Sequence, residues 1–433
     1  MKKTIIRSTL LLIIVSVFAK ILSFIVRILL ARNLSVEAMS YYTLAAPTMV
    51  IIITLAQMGI PSALSKVIAE NDYERKPLAA SILITIITNT IIALLFLLCI
   101  PYLAHTILKQ NIIQPVLYSI VPLIPVVSLS GILKGYLYGI QQHLHATNTQ
   151  IFEELTRVFF LLGMFLCNPT LDAIEMATLA MFSITVGEVA SIIYMLLCIK
   201  KQKKHSFVSL SFFQNLCKKD FSDIYNVAIP MTSSRLIGSL TYFLEPIVMV
   251  IGLNTLQVQT MVHAYGELNG YVLPILTMPS FITITLSNFL LPSFTYHFTR
   301  NHIAHAKKLF NVIIGCCFLI GVSCSFICYQ YAEELLQLFY HNTNGADVLR
   351  QLSWPFALYS LQPPLSSMMH ALSKSRGAMF DTLLGCIVRI LCVIALAYTG
   401  PSSLTIGLTL GMLVTTILHA IKLANVLRKT TLK

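Results

Sequence analysis

Lys20, Arg27, Arg235 and Arg389 each sit in the middle of a long apolar stretch. A charge held at the centre of a bilayer costs roughly 2.5–3.5 kcal/mol, so four cost on the order of 10 kcal/mol. Such residues persist where they face water, a counter-ion or an anionic cargo. A guanidinium donates two parallel bonds to a phosphate, so the chemistry this set offers is capture of an anion rather than bond making. Lys20 and Arg27 are seven residues apart, and seven steps of about 100° return them to nearly one helix face. Arg32 follows near the outer end of that stretch at another azimuth. Arg235 and Glu245 are ten residues apart, about 15 Å along a helix, on a shared polar face. We take Lys20, Arg27, Arg32, Arg235 and Glu245 as candidates for a headgroup cavity, and Glu188 and Arg389 as candidates for ion coupling or ion pairing. Lys66, Lys134 and Arg157 lie nearer inner span ends, which suits snorkelling or a cytoplasmic gate. Mid-span cations outnumber mid-span acids, which favours an anionic cargo over a cationic one.

The elements that carry these residues are membrane spans. The chain is 56% hydrophobic and only 11% charged, against about 25% charged in soluble proteins. Its mean hydropathy is +0.79. Twelve apolar runs are expected near 5–30, 41–69, 78–100, 115–140, 151–168, 173–199, 222–252, 267–293, 309–332, 350–372, 378–399 and 401–423. Backbone groups in lipid must pair internally, so these runs are helices. The expectation is an all-α polytopic membrane protein with about 12 helices in two six-helix lobes: residues 1–199, a basic cytoplasmic linker at 200–221, and residues 222–433. With the N-terminus inside, about twenty cations fall in inner segments and only Arg32, Lys109 and Arg350 in outer ones. Both termini are then cytoplasmic. Topology and anionic membrane lipids account for the formal charge of +13 without any nucleic acid. The first run, with Lys20 and Arg27 inside it, reads as an uncleaved span.

The halves echo each other. "GIPSALSKV" (59–67) and "LLPSFTYHF" (290–298) each carry a Pro-Ser step at an inner end, with Pro47 and Pro279 13 or 14 residues earlier or so. "QIFEELTRVFFLLG" resembles "MFDTLLGCIVRILCVI", setting Arg157 opposite Arg389. Six spans per half relate the repeats by a pseudo-two-fold axis along the membrane normal. The ten cysteines form no C-x-x-C pair and read as packing residues. No metal site, cofactor or G-x-x-x-x-G-K-[ST] motif is expected, and the absence of a catalytic outer loop speaks against an enzyme.

Residues 18–70, "FAKILSFIVRILLARNLSVEAMSYYTLAAPTMVIIITLAQMGIPSALSKVIAE", resemble the opening of polysaccharide exporters of the multidrug/oligosaccharidyl-lipid/polysaccharide superfamily. "IPMTSSRLIGSLTYFLEPIVMV" (229–250) and "YGELNGYVLPILTMPSFITITLSNFLLPS" (265–293) resemble its sporulation branch, and the similarity runs over essentially the whole chain. The resemblance implies a V-shaped bundle in the bacterial cell membrane. It implies alternating-access export of an undecaprenyl-diphosphate-linked saccharide, lipid II or a related cell-wall or spore-cortex precursor, with a coupling ion as a further partner. It places Lys20 and Arg32 on basic positions of the family's first span, Arg27 one residue from another, and Arg235 and Glu245 on the motif of span 7. The stretch "PTMVIIITLAQMG" departs from the family's lipid II flippases, which carry basic residues there. Two other readings are a cation-coupled multidrug antiporter of the same superfamily and a non-transporting scaffold for cell-wall assembly.

Overall fold

The computed structural model describes residues 2–70, 76–168, 170–201, 217–251, 253–300, 302–372 and 374–431. The expected basic linker lies outside the described residues from 202 to 216. No strand occurs among the described residues. The helices are α1 (Lys2–Asn33), α2 (Val36–Gln57), α3 (Ile60–Glu70), α4 (Lys76–Tyr102), α5 (Gln114–Tyr118), α6 (Leu123–Gly139), α7 (His143–Cys167), α8 (Ala173–Lys201) and α9 (Lys218–Met249). They continue with α10 (Thr255–Glu267), α11 (Leu273–Thr277), α12 (Ser280–Thr299), α13 (Ile303–Gln330), α14 (Ala332–Tyr340), α15 (Ala346–Tyr359), α16 (Gln362–Ala371), α17 (Ser375–Ala395) and α18 (Ser402–Thr431).

Among the described residues, eight helical stretches are long and apolar enough to cross a membrane. A ninth is the bent pair Leu256–Thr277 and Ser280–Ser287, which turns by 52°. The stretches of the expected twelve that miss this threshold are α7, α9 and α15 with α16. In α7 and α9 the charges Glu153, Glu154 and Arg157, and Arg235 and Glu245, lower the hydropathy, and in α15 and α16 uncharged polar residues and prolines such as Gln362, Pro363 and Pro364 do so. Expected single spans are interrupted. The run at 41–69 breaks where Met58 and Gly59 take φ of 45° and 62°, and the run at 350–372 breaks after Tyr359.

The chain divides into two compact units, Met1–Phe243 and Leu244–Lys433. Helix α9 gives Ile224 and Ala228 to the apolar core of the first unit, with Ile60, Leu64, Leu133 and Tyr136, while Glu245 belongs to the second. Each unit repeats one pattern of packing. In the first, α3 packs on α6, α4 on α6, α5 and α6 on α8, and α7 on α8. In the second, α12 packs on α16, α13 on α15, α15 and α16 on α18, and α17 on α18. With α5–α6 and α15–α16 each taken as one interrupted span, spans in the same order thus meet the same neighbours, the arrangement a duplicated sequence produces.

Close backbone approach sets these contacts. A Cβ on Gly135 would lie 2.3 Å from the Pro61 carbonyl oxygen, so glycine is what lets α6 lie against α3. In α17, a Cβ on Gly385 would meet the Gly411 carbonyl at 2.7 Å. Small residues of this kind allow helices to pack where lipid offers no hydrophobic drive between them.

Candidate functional site

Helix α1 has three sectors. Ala19, Leu22, Val26 and Leu30, spaced for one face, are all buried, and α1 packs on α7. Ile14, Phe18, Ile21 and Ile25 form an exposed apolar stripe suited to lipid. Lys20 and Arg27, with Ser16, occupy the remaining sector, and Ser23 at its inner edge hydrogen-bonds Glu154 of α7. At 100° per residue this sector lies about 100° from the centre of the packed face and about 140° from the centre of the apolar stripe. Both cations are exposed at the surface of the chain. Their sector is therefore polar and points neither into the protein nor with the lipid-facing stripe. Arg32 is exposed too, but its azimuth falls on the apolar stripe, in the last turn of α1. That is a position for snorkelling, where a cation also meets the negative end of the helix dipole.

On α9, Ile224, Ala228 and Arg235 share an azimuth within about 40°. The first two are buried and Arg235 is exposed. Met231 beside that line is exposed, and a Cβ on Gly238 would meet nothing within 4 Å. The stripe that packs at the start of α9 is thus open at its middle, where the arginine stands. Among the described residues neither Lys20 nor Arg235 has an ion pair.

Glu245 and Arg389 are brought together. One Arg389 Nη donates to Glu245 Oε1, joining α9 to α17 within the second unit. Glu245 is 3% exposed. Its Oε2 and Arg389 Nε are buried without a hydrogen-bond partner. Arg389 leans on the glycine face of α18: a Cβ on Gly411 would come 2.9 Å from Arg389 Cβ.

Glu188 is also paired. Lys134 Nζ stands 3.4 Å from Glu188 Oε2 and 3.4 Å from Glu153 Oε2, bridging α6, α8 and α7. One turn on, Arg157 binds Glu154 at 3.0 Å. A Cβ on Gly187 would sit 2.7 Å from Arg157 Cγ, so glycine makes room for this arginine as well. Two of the three cations expected to snorkel or gate, Lys134 and Arg157, turn inward onto carboxylates. The physical reason is that Glu153, Glu154 and Glu188 are half-buried or buried acids that need a counter-charge nearby. A last pair, Lys422 with the fully buried Asp381, ties α18 to α17, and Lys422 Nζ also lies 3.4 Å from the Gly377 carbonyl.

Asp381 and the Lys134 pairings are the elements that reasoning from sequence did not bring out. A signal was there for the acids: a carboxylate deep in an apolar run needs a partner, and only a few cations exist to supply it. The partners lie 19, 54, 144 and 41 residues away, so spacing could not name them.

The mid-span charges therefore sort into two sets. Glu188, Glu245 and Arg389 are in internal ion pairs. Lys20, Arg27 and Arg235 are exposed, and of these Lys20 and Arg235 make no ion pair among the described residues. Among the described residues no group of three or more His, Cys, Asp or Glu side chains is placed to hold a metal ion.

The comparisons with known proteins agree with a transport architecture. The model of the family described as "Polysaccharide biosynthesis protein" matches residues 5–298. Stage V sporulation protein B of Bacillus subtilis (strain 168) is 32% identical over 443 aligned positions, covering 98% of this chain and 85% of that relative. A multidrug resistance MATE family transporter in an inward-facing conformation superposes with a TM-score of 0.74 at 15% identity, covering 96% of this chain and 99% of the other. The lipid II flippase MurJ in an inward closed conformation gives 0.72 at 14% identity, covering 95% and 87%. The fold is thus that of multi-span transporters. The chain belongs to the polysaccharide biosynthesis protein family.

Proposed function

We propose that this chain is a flippase for an undecaprenyl-diphosphate-linked saccharide, lipid II or a related cell-wall or spore-cortex precursor. It works by alternating access in the bacterial cell membrane, with both termini cytoplasmic. The observation that carries this reading is the third sector of α1, where Lys20 and Arg27 stand exposed but off the apolar stripe. Lys20, kept at such a cost with no ion pair among the described residues, needs an anion or water in front of it. A diphosphate supplies that anion, and its polyprenyl tail stays in the lipid.

Lys20, Arg27 and Arg235 hold the diphosphate, the arginines through paired N–H donors. Arg32, near the end of α1, attracts the headgroup at the rim. The Glu245–Arg389 and Lys134–Glu188 pairs stay internal and keep the acids away from the anion. An inside-negative membrane potential favours outward movement of a negative headgroup by about 2.3 kcal/mol per charge per 100 mV. A coupling ion would act through the internal carboxylates Glu188 or Glu245. The family membership and the name of the flippase with the same fold both support this cargo class.

The test uses cells depleted of their own lipid II flippase and expressing this chain. A lipid II-cleaving enzyme is added outside. Restored cleavage with the wild type, and none with the Lys20→Ala, Arg27→Ala, Arg235→Ala triple variant at equal level, supports cargo and site together. Restoration by both removes the cationic site. Restoration by neither removes lipid II as cargo and moves other diphosphate-linked saccharides, a drug antiporter or a scaffold ahead.

A further inference from the structure

Two interrupted spans of the second unit meet at a small cavity. One is the bent span of α10 to α12, turned by 52° just before Ser280. The other breaks between α15, which ends at Tyr359, and α16, which starts at Gln362. The cavity has a volume of about 20 Å³. Pro279 and Ser280 line it from the first break, Tyr359 and Ser360 from the second, and Gly321 and Ser325 from α13.

The backbone at the second break is short of donors. Helical partners for the carbonyls of Tyr359 and Ser360 would be the N–H groups of residues 363 and 364, and both are prolines. Residue 363 is also the three-residue alternative for Ser360. Leu361 N–H goes instead to the Leu358 carbonyl at 3.1 Å. A carbonyl left unpaired at membrane depth costs several kcal/mol.

The walls add hydroxyls. Ser325 is 4% exposed, and its hydroxyl bonds no atom among the described residues. Ser360 Oγ donates to the Cys317 carbonyl at 2.9 Å and Ser280 Oγ to the Thr277 carbonyl, so each keeps lone pairs for a further donor. Gly321 holds this arrangement open: a Cβ there would lie 2.2 Å from Ser360 Oγ. No charged residue lines the cavity. An ion inside would lack a counter-charge in a low-dielectric setting, whereas a neutral molecule with two donors and two acceptors fits the groups present.

We propose that this cavity binds a single water molecule. It accepts a hydrogen bond from the Ser325 hydroxyl and gives its two hydrogens to the proline-freed carbonyls of Tyr359 and Ser360. A water needs about 10–15 Å³ and two to four polar partners, and the cavity meets both conditions for one molecule. The two helix breaks then form one hydrated joint, whose freed carbonyls stay satisfied while the broken spans flex.

The experiment is a structure of the full chain in lipid nanodiscs at a resolution that shows ordered water, collected in NaCl and again in RbCl, with melting temperatures of Ser325→Ala and Ser325→Val. One peak of equal height in both salts, lost in Ser325→Val together with a lower melting temperature, supports the water. A peak that strengthens in RbCl assigns a monovalent cation and overturns the proposal. A cavity without density, or a Ser325→Val variant more stable than wild type, also overturns it, because removing an unsatisfied buried hydroxyl from a dry site stabilises. Ser325→Ala keeps the cavity and two of the water's partners, so it separates loss of the site from failure to fold.

Discussion

Glu245 and Arg389 lie 144 positions apart and hold each other across α9 and α17. Neither can be kept charged in that place alone. Replacing one partner of a buried pair strands the other and costs about 3–5 kcal/mol, while replacing both with apolar groups is close to neutral. Glu245→Ala and Arg389→Ala should each lower the melting temperature strongly in detergent. Glu245→Leu with Arg389→Met should recover most of the loss. A double variant no better than the worse single would mean that the pair does not hold these helices together.

Lys134 serves two carboxylates at equal distance, and that asymmetry sets the signs of its variants. Lys134→Ala leaves Glu153 and Glu188 facing one another with no cation between them, again at about 3–5 kcal/mol. Glu188→Gln leaves a one-to-one pair with Glu153 and should change stability by less than about 1.5 kcal/mol. Lys134→Ala with Glu188→Gln should be milder than Lys134→Ala alone. Thermal unfolding of the three purified variants decides this. If Lys134→Ala is neutral, the ammonium is not the bridge between these helices.

Glycines at the helix contacts and glycines elsewhere should respond oppositely to one methyl group. Gly135→Ala would drive a Cβ to within 2.3 Å of the Pro61 backbone, which cannot yield as a side chain would. We expect little folded protein from it. Gly315 has nothing within 4 Å of the same added atom. Gly315→Ala should be neutral, or stabilising by up to about 1 kcal/mol through helix propensity. Yield and melting temperature of the two variants in the same detergent provide the comparison.

The helices were legible because lipid imposes one rule on every span, and apolar length expresses it directly. The interruptions were partly legible. Met58–Gly59–Ile60–Pro61 and Pro363–Pro364 carry the residues that break helices, yet hydropathy runs straight through them. The short helix α14, with Glu333 and Glu334 in its first turn, was too brief to stand out as a span. For the site, the odd positions of Lys20, Arg27 and Arg235 could be read from composition, because a charge in an apolar run is rare for a physical reason. The pairings could not. Whether Arg389 meets an anion or Glu245 depends on tertiary packing between helices far apart in sequence, and a single chain carries no signal of that distance.

The sectors of α1 turn the cationic site into a ranked prediction. Lys20 and Arg27 share the polar sector, and Arg32 falls on the apolar stripe near the helix end. A charged hydrogen bond to a phosphate is worth about 1.5–3 kcal/mol, so Lys20→Ala and Arg27→Ala should each lower the rate of headgroup export roughly 10- to 100-fold. Arg27→Lys should recover only part of that, because an ammonium cannot make the paired contact. Arg32→Ala should stay within about threefold of wild type, its charge acting from the rim through a screened field. The rates come from the external cleavage assay with each variant matched for membrane level. Equal losses at all three positions would mean that azimuth on α1 does not decide which cations meet the cargo. A dominant loss at Arg32 would place the headgroup at the end of the helix instead of along its polar sector.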